Sequence, residues 1–160
     1  MELLDLYDEK GNKLNKTVER GKHPYDGYIL LSIVFIKNTK GEYLIQKTSK
    51  EKDFKYATTG GHVTTGETAL SCIIRELEEE IGLKVNEEEL RFICLDSFPK
   101  KLCLFSVYYL EKDINIDELT LQKEEVEFIK WMSKDEILNL IETNEFKESH
   151  AHLFQKYIME

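Results

Sequence analysis

Glu76, Glu79 and Glu80 stand at i, i+3 and i+4 in a stretch, residues 67–81, whose apolar residues recur with helical period. On a helix of about 100° per residue their carboxylates share one face. Leu70, Ile73, Ile74, Leu77 and Ile81 form the adjoining apolar stripe, while Glu78, Ser71 and Thr68 fall toward water. Toward the N-terminus the carboxylate face continues in Cys72 and Ala69, small residues that leave space above the helix. Like charges on adjacent turns repel, so the pattern costs stability. Acid runs of this kind usually form a solvated face. These acids, however, border the apolar stripe rather than oppose it, and they adjoin Gly60-Gly61, where a backbone carbonyl can come close. Hard divalent cations such as Mg²⁺ or Mn²⁺ take oxygen ligands of that sort. Spacing alone leaves both readings open, a solvated face or a metal site.

The elements that would position these residues can be read in outline. Residues 5–14 place Asp-Glu-Lys-Gly-Asn between short apolar stretches, an N-terminal hairpin. Residues 28–36 are β-branched and aromatic on both faces, the mark of a buried central strand. Asn38-Thr-Lys-Gly-Glu turns the chain into a strand at 43–47, and Thr59-Gly-Gly-His-Val reads as a glycine turn before the helix at 67–81, which Gly82 closes. Strands are expected at 91–97, 102–110 and 126–132. Ser133 caps a helix at 134–141, with Asp135 and Glu136 in its first turn, and 146–159 reads as a last amphipathic helix. Strands interleaved with helices on a mixed sheet imply a layered α/β architecture.

Bulk properties narrow the classes. The 160 residues predict one domain, with 41% hydrophobic and 33% charged residues excluding disordered and membrane compositions. The first eight residues carry acids where an export signal needs bases, and no long apolar run follows, so neither a signal nor a membrane span is expected. Cys72, Cys94 and Cys103 are an odd number without Cys-x-x-Cys spacing, which argues against a disulfide framework or a zinc site and suits the cytoplasm. A net charge of −9 with no basic stripe disfavours nucleic-acid duplexes. A polyanionic small molecule would then need cations at its site, commonly supplied by bound metal.

Gly61, Glu67, Arg75-Glu76-Leu77, Glu79-Glu80 and Gly82-Leu83 resemble the Nudix box, G-x5-E-x7-R-E-U-x-E-E-x-G-U with U aliphatic, at every specified position. The order of strands and helices resembles the Nudix fold over nearly the whole chain, implying a mixed β-sheet sandwiched between helices in α/β/α layers. The resemblance implies a hydrolase that cleaves a diphosphate bond, in a nucleoside diphosphate linked to another moiety or a related small molecule. It implies metal held by Glu76, Glu79 and Glu80, often with the Gly61 carbonyl, and Glu67 paired with Arg75 to brace loop against helix. A bidentate pair there would fix the carbonyl that the metal needs. One of the carboxylates must take a proton from water, with Glu79 and Glu80 the candidates. Glu125 matches a position where a further acid often reaches the metal, though an exposed acid at a strand entrance reads equally well. Nudix proteins often pair, so a homodimer is open.

The N-terminal third and Glu42-Tyr-Leu-Ile-Gln-Lys are similar to Nudix proteins related to isopentenyl-diphosphate isomerase. That isomerase uses a cysteine before the box, where this chain has Tyr56-Ala-Thr-Thr-Gly-Gly, so hydrolysis is favoured over isomerisation. A ligand-binding module without catalysis is a further alternative, but such domains commonly lose the box carboxylates that this chain keeps. Other residues carry less. His62 follows the glycines and reads as structural or solvent-facing, within reach of a phosphate. His150 and His152 point to different sides of a helix and share no metal. Tyr56 and Trp131 read as packing, and Phe98, Phe105 and Tyr108 could fill core or stack on a base.

Overall fold

The computed structural model describes residues 2–22 and 24–159. At its centre β3 (Ile29–Lys37) runs parallel to β8 (Cys103–Glu111), in register from Ile29↔Cys103 to Lys37↔Glu111. The other pairings are antiparallel. β7 (Arg91–Phe98) flanks β8, and the far side of β3 is met by β6 (Thr59–His62) and, at Lys37↔Tyr43, by β4 (Tyr43–Thr48). β4 in turn carries β5 (Tyr56–Ala57) and β9 (Val126–Met132), while β1 (Leu3–Tyr7) and β2 (Lys13–Glu19) make the N-terminal hairpin as a separate two-stranded sheet.

The period-two alternation of β3 builds two cores. Ile33 and Phe35 face one, with Tyr43, Ile45, Val107, Ile137 and Phe154; Val34 and Ile36 face the other, with Leu44, Tyr108 and Leu110. The second core is closed by α1 (Ala69–Ile81), which buries Ile73, Leu77 and Ile81, each contributing about 2 kcal/mol of hydrophobic burial. The first is closed by α2 (Lys134–Glu142) and α3 (Glu148–Leu153). The result is the expected mixed sheet between helical layers.

Three local expectations are corrected. The Gly60-Gly61 segment is a strand, not a turn: β6 pairs with β3 from Leu31↔His62 to Val34↔Thr59. Its glycines are required by close approach. A Cβ on Gly60 would stand 2.6 Å from Ile33 Cγ2, and one on Gly61 would stand 2.4 Å from the Glu76 carboxyl carbon. The helix begins at Ala69, because Thr68 is its N-cap: its side chain accepts from the Ser71 N–H while the Ser71 hydroxyl accepts from the Thr68 N–H. The last helix starts only at Glu148. The Tyr56 N–H donates to the Glu145 carbonyl, and the Lys147 N–H to the Tyr56 carbonyl, holding that segment extended beside β5. After Leu153 the helix widens into a π-helical turn, Phe154–Ile158, which lets Phe154 and Ile158 both enter the core.

Candidate active site

Helix α1 packs directly against strand β6, and both border a cleft of about 460 Å³. Glu76, Glu79 and Glu80 all line it, as do Gly60, Gly61 and His62. Helix α1 therefore carries Glu76 and Glu80 at the boundary between core and cleft, with Glu79 at the cleft's solvent edge. Gly82 has φ 71°, the left-handed conformation that ends the helix one residue past its apolar stripe.

The three acids occupy different environments. Glu80 is buried, and its Oε1 accepts from Gln46 Nε2 at 3.2 Å, while Gln46 Oε1 accepts from the Thr59 hydroxyl at 2.9 Å. Burial first, and the neighbouring Glu76 second, push the Glu80 carboxyl up to about 9. Glu76 is raised by the same burial, with Arg75 working against it. Burial thus disfavours the charged form of both carboxyls, most strongly that of Glu80. Glu79 is half-exposed.

Arg75 gathers the acids. Its Nε donates to Glu67 Oε2 at 2.7 Å and its Nη2 to Glu67 Oε1 at 2.9 Å, a bidentate pair. Its Nη1 donates to Glu76 Oε1 at 2.7 Å and Glu79 Oε2 at 3.2 Å. Glu67 also accepts from the backbone N–H and hydroxyl of Thr64, both at 3.1 Å, so one ion pair ties the connecting loop to α1. Burial opposes ionisation of Glu67, but Arg75 and Thr64 outweigh it and hold its carboxyl below the usual range. Among the described residues no three His, Cys, Asp or Glu side chains are gathered tightly enough to enclose an ion. Glu79 would have to leave Arg75 to join the other two.

Cys72 does not leave open space above the helix. It is fully buried, with its sulfur 3.8 Å from the Gly61 carbonyl and 3.5 Å from that of His62. Burial raises its thiol well above the usual range, so it stays protonated. Glu125 reaches the cleft because the Gln122 N–H donates to the Glu80 carbonyl at 2.8 Å and the Ser49 N–H to the Glu125 carbonyl at 3.0 Å. Its carboxylate pairs with Lys52 at 3.3 Å.

His62 lies on β6, not in a loop, and burial together with Arg20 pulls its imidazole down to about 4. His150 is buried and accepts the Thr58 N–H at 3.2 Å, while His152 is half-exposed beside Asp96, so the two are indeed parted. Phe105 lines the cleft and packs edge-on against Phe98, with ring centroids 5.3 Å apart; Tyr108 lies in the other core. Tyr56 packs on Phe128, and the Trp131 indole donates to the Ile114 carbonyl at 3.3 Å. Sequence reasoning missed Gln46, Arg20, Lys52 and Lys147, all of which line the cleft. Only Gln46 left a signal, as a polar residue directly after the apolar run Tyr43-Leu-Ile in its strand.

An α/β/α sandwich with a carboxylate-bearing helix packed against the glycine pair of a neighbouring strand has the layout of a hydrolase of pyrophosphate bonds. The chain belongs to the Nudix family: the family model described as NUDIX domain matches residues 30–157. The uncharacterised Nudix hydrolase lmo0368 of Listeria monocytogenes is 32% identical over 151 residues, covering 91% of this chain and 88% of that protein. The NAD-capped RNA hydrolase NudC of Pseudomonas aeruginosa is 29% identical over 116 residues, covering 72% of this chain and 40% of that one. Among solved structures, DR0079 from Deinococcus radiodurans superposes with a TM-score of 0.82 at 22% identity, covering 97% of this chain and 98% of that one. Among the described residues no helix is long and apolar enough to cross a membrane.

Proposed function

We propose that residues 1–160 form one Nudix domain that hydrolyses, with a divalent cation, the phosphoanhydride bond of a nucleoside diphosphate linked to another moiety. The observation that carries this reading is the Glu76–Glu80 pair, a buried and a half-buried carboxyl side by side at the cleft, where burial disfavours charge on both. Burying acids is costly unless a cation compensates. The donor set fits Mg²⁺ or Mn²⁺: all ligand atoms are oxygens, and one divalent ion would offset the charge of the Glu76–Glu80 pair and replace the Arg75 contact to Glu79. Glu76, Glu79 and Glu80 would hold it, with the Gly61 carbonyl, and when bound it would supply neutralisation of phosphate charge and an acidified water.

The protein's own residues then do the rest. Arg20, Lys52 and Lys147 line the same cleft and present fixed positive charge to phosphate oxygens. Glu79, half-exposed, or Glu80 takes the water's proton. Glu125, tied to Lys52, either adds to the cation's ligands or only orients that lysine. The bidentate Glu67–Arg75 pair holds loop and helix in register. Similarity to an NAD-capped RNA hydrolase supports a nucleoside diphosphate joined to a second group. Three free cysteines suit a cytoplasmic setting.

The test is turnover of a panel of nucleotide sugars, dinucleoside polyphosphates, nucleoside triphosphates and isoprenoid diphosphates, each with Mg²⁺, Mn²⁺ or chelator. Metal-dependent release of phosphate-containing products from a nucleoside diphosphate derivative is expected. Turnover that persists in chelator, or is confined to isoprenoid diphosphates, overturns the reading.

A further inference from the structure

A second cavity, of about 530 Å³, lies between the end of β2, the chain leading into β3 and the turn joining β7 to β8. Arg20 and His62 line both this cavity and the carboxylate cleft, so the two spaces adjoin. Their charge differs. The cleft's lining mixes six acids with four bases, whereas the second cavity is lined by Arg20, Lys100 and Lys101 and, among the described residues, by no carboxylate, in a chain with 31 acids against 22 bases. Arg20 is committed to Glu2 at 2.7 Å. Lys100 and Lys101 have no ion-pair partner among the described residues.

The turn that carries the lysines is fixed. Pro99–Lys101 is a single 3₁₀ turn, and Leu102 after it has φ 51°, a left-handed conformation that costs a branched residue about 1 kcal/mol. The Ile29 N–H donates to the Leu102 carbonyl at 2.9 Å and ties the turn to the start of β3. The walls between the lysines and the cleft are apolar, supplied by Tyr25, Ile29 and Leu102, and the Tyr25 hydroxyl already accepts the Gly21 N–H at 2.8 Å. Such a space suits the body of a small molecule with an anion at its far end.

We infer that this cavity receives the part of the substrate beyond the scissile diphosphate, and that this part carries an additional phosphate held by Lys100 and Lys101. The inference rests on the hydrolase reading above. The extra phosphate could be an ester on the attached moiety or a continuation of the polyphosphate chain. Apolar walls favour the ester, because a chain of phosphates would need cations along its whole path.

The experiment compares kcat/KM within matched pairs that share a diphosphate: coenzyme A against dephospho-coenzyme A, NADPH against NADH, and ATP against ADP as the chain-extension arm. Charge-assisted contacts to a phosphate predict a preference of about tenfold for the phosphorylated member of at least one ester pair. That ratio should fall to near one in the double variant Lys100→Gln/Lys101→Gln. The control Lys10→Gln/Lys40→Gln, with the same net charge and both positions outside the two cavities, should keep it. Equal rates within both ester pairs, or a preference that survives the Lys100/Lys101 variant, overturns the inference. A lysine-dependent preference seen only for ATP over ADP overturns the ester assignment. If no diphosphate is turned over, the hydrolase reading fails by itself, and the subsite is judged by calorimetry. Adenosine 3′,5′-bisphosphate should then bind about tenfold tighter than AMP in the wild type and equally in the lysine variant. Equal binding in the wild type overturns the subsite.

Discussion

Helices α1 and α2 are both acidic and both amphipathic, yet their acids live in opposite environments. In α2, Glu136 sits in the first turn, accepts the Ser133 N–H at 3.1 Å and is exposed, with its carboxyl held below the usual range by that hydrogen bond. In α1, Glu76 and Glu80 lie at the edge of the apolar stripe, and burial drives their carboxyls upward. One set of acids stabilises its helix end and leaves its charge in water. The other strains its helix and faces a cleft. Acid content, four of 13 residues in α1 and three of 9 in α2, does not separate the helices; what does is the angle between the carboxylates and the apolar stripe.

The largest effect that would sharpen this contrast is on turnover. Glu79→Gln or Glu80→Gln should lower kcat by about 100-fold or more with the fold retained by circular dichroism, while Glu136→Gln leaves kcat unchanged. Wild-type rates in both α1 variants would break the site assignment.

Next in size is the pH dependence of stability without metal. The Glu80 carboxyl, raised from an ordinary value of 4.5 to about 9, keeps in the native state a proton that the unfolded chain releases. Between those values the native state binds more protons, so stability should fall as pH rises, by up to about 1.4 kcal/mol per unit. Melting in chelator should show this slope in the wild type and a flatter one in Glu80→Gln. Parallel slopes would mean that Glu80 ionises in the native state without penalty.

Smaller again is the brace. Arg75→Lys keeps a charge but loses the bidentate grip on Glu67, and should cost about 2 kcal/mol in denaturant unfolding and about tenfold in kcat/KM. Smallest is the cap of α2. Ser133→Ala should cost about 1 kcal/mol of stability and leave kcat/KM unchanged. A catalytic defect in that variant would blur the distinction between the two helices.

Much of the fold was legible because periodicity reports burial directly. The apolar run of β3, the strand Val126–Met132 and the Ser133 cap appear where the residues predict them. The Nudix spacing likewise marked Glu67 and Arg75, which meet at 2.7 Å. Gly60-Gly61 misled because glycine signals turns more often than tight strand–helix contact, and only the opposing Ile33 and Glu76 reveal which applies. The extended segment around Phe146 depends on partners at Tyr56, far away in sequence. Lys52, Lys147 and Arg20 were invisible for the same reason. Each is an ordinary surface cation until the chain folds it toward one cleft.

β6 runs in close contact with both neighbours, Gly61 against the Glu76 carboxyl of α1 and Gly60 against Ile33 of β3, with no atom to spare on either glycine. Alanine scanning assumes that removing a side chain is the perturbation and that a methyl group is the baseline. At Gly60 and Gly61 the baseline itself is the intrusion: a methyl on the first runs into Ile33 and the Ser32 carbonyl, and one on the second into the Glu76 carboxyl. A mutational survey of this chain would therefore find two of its least forgiving positions among residues that possess no side chain at all.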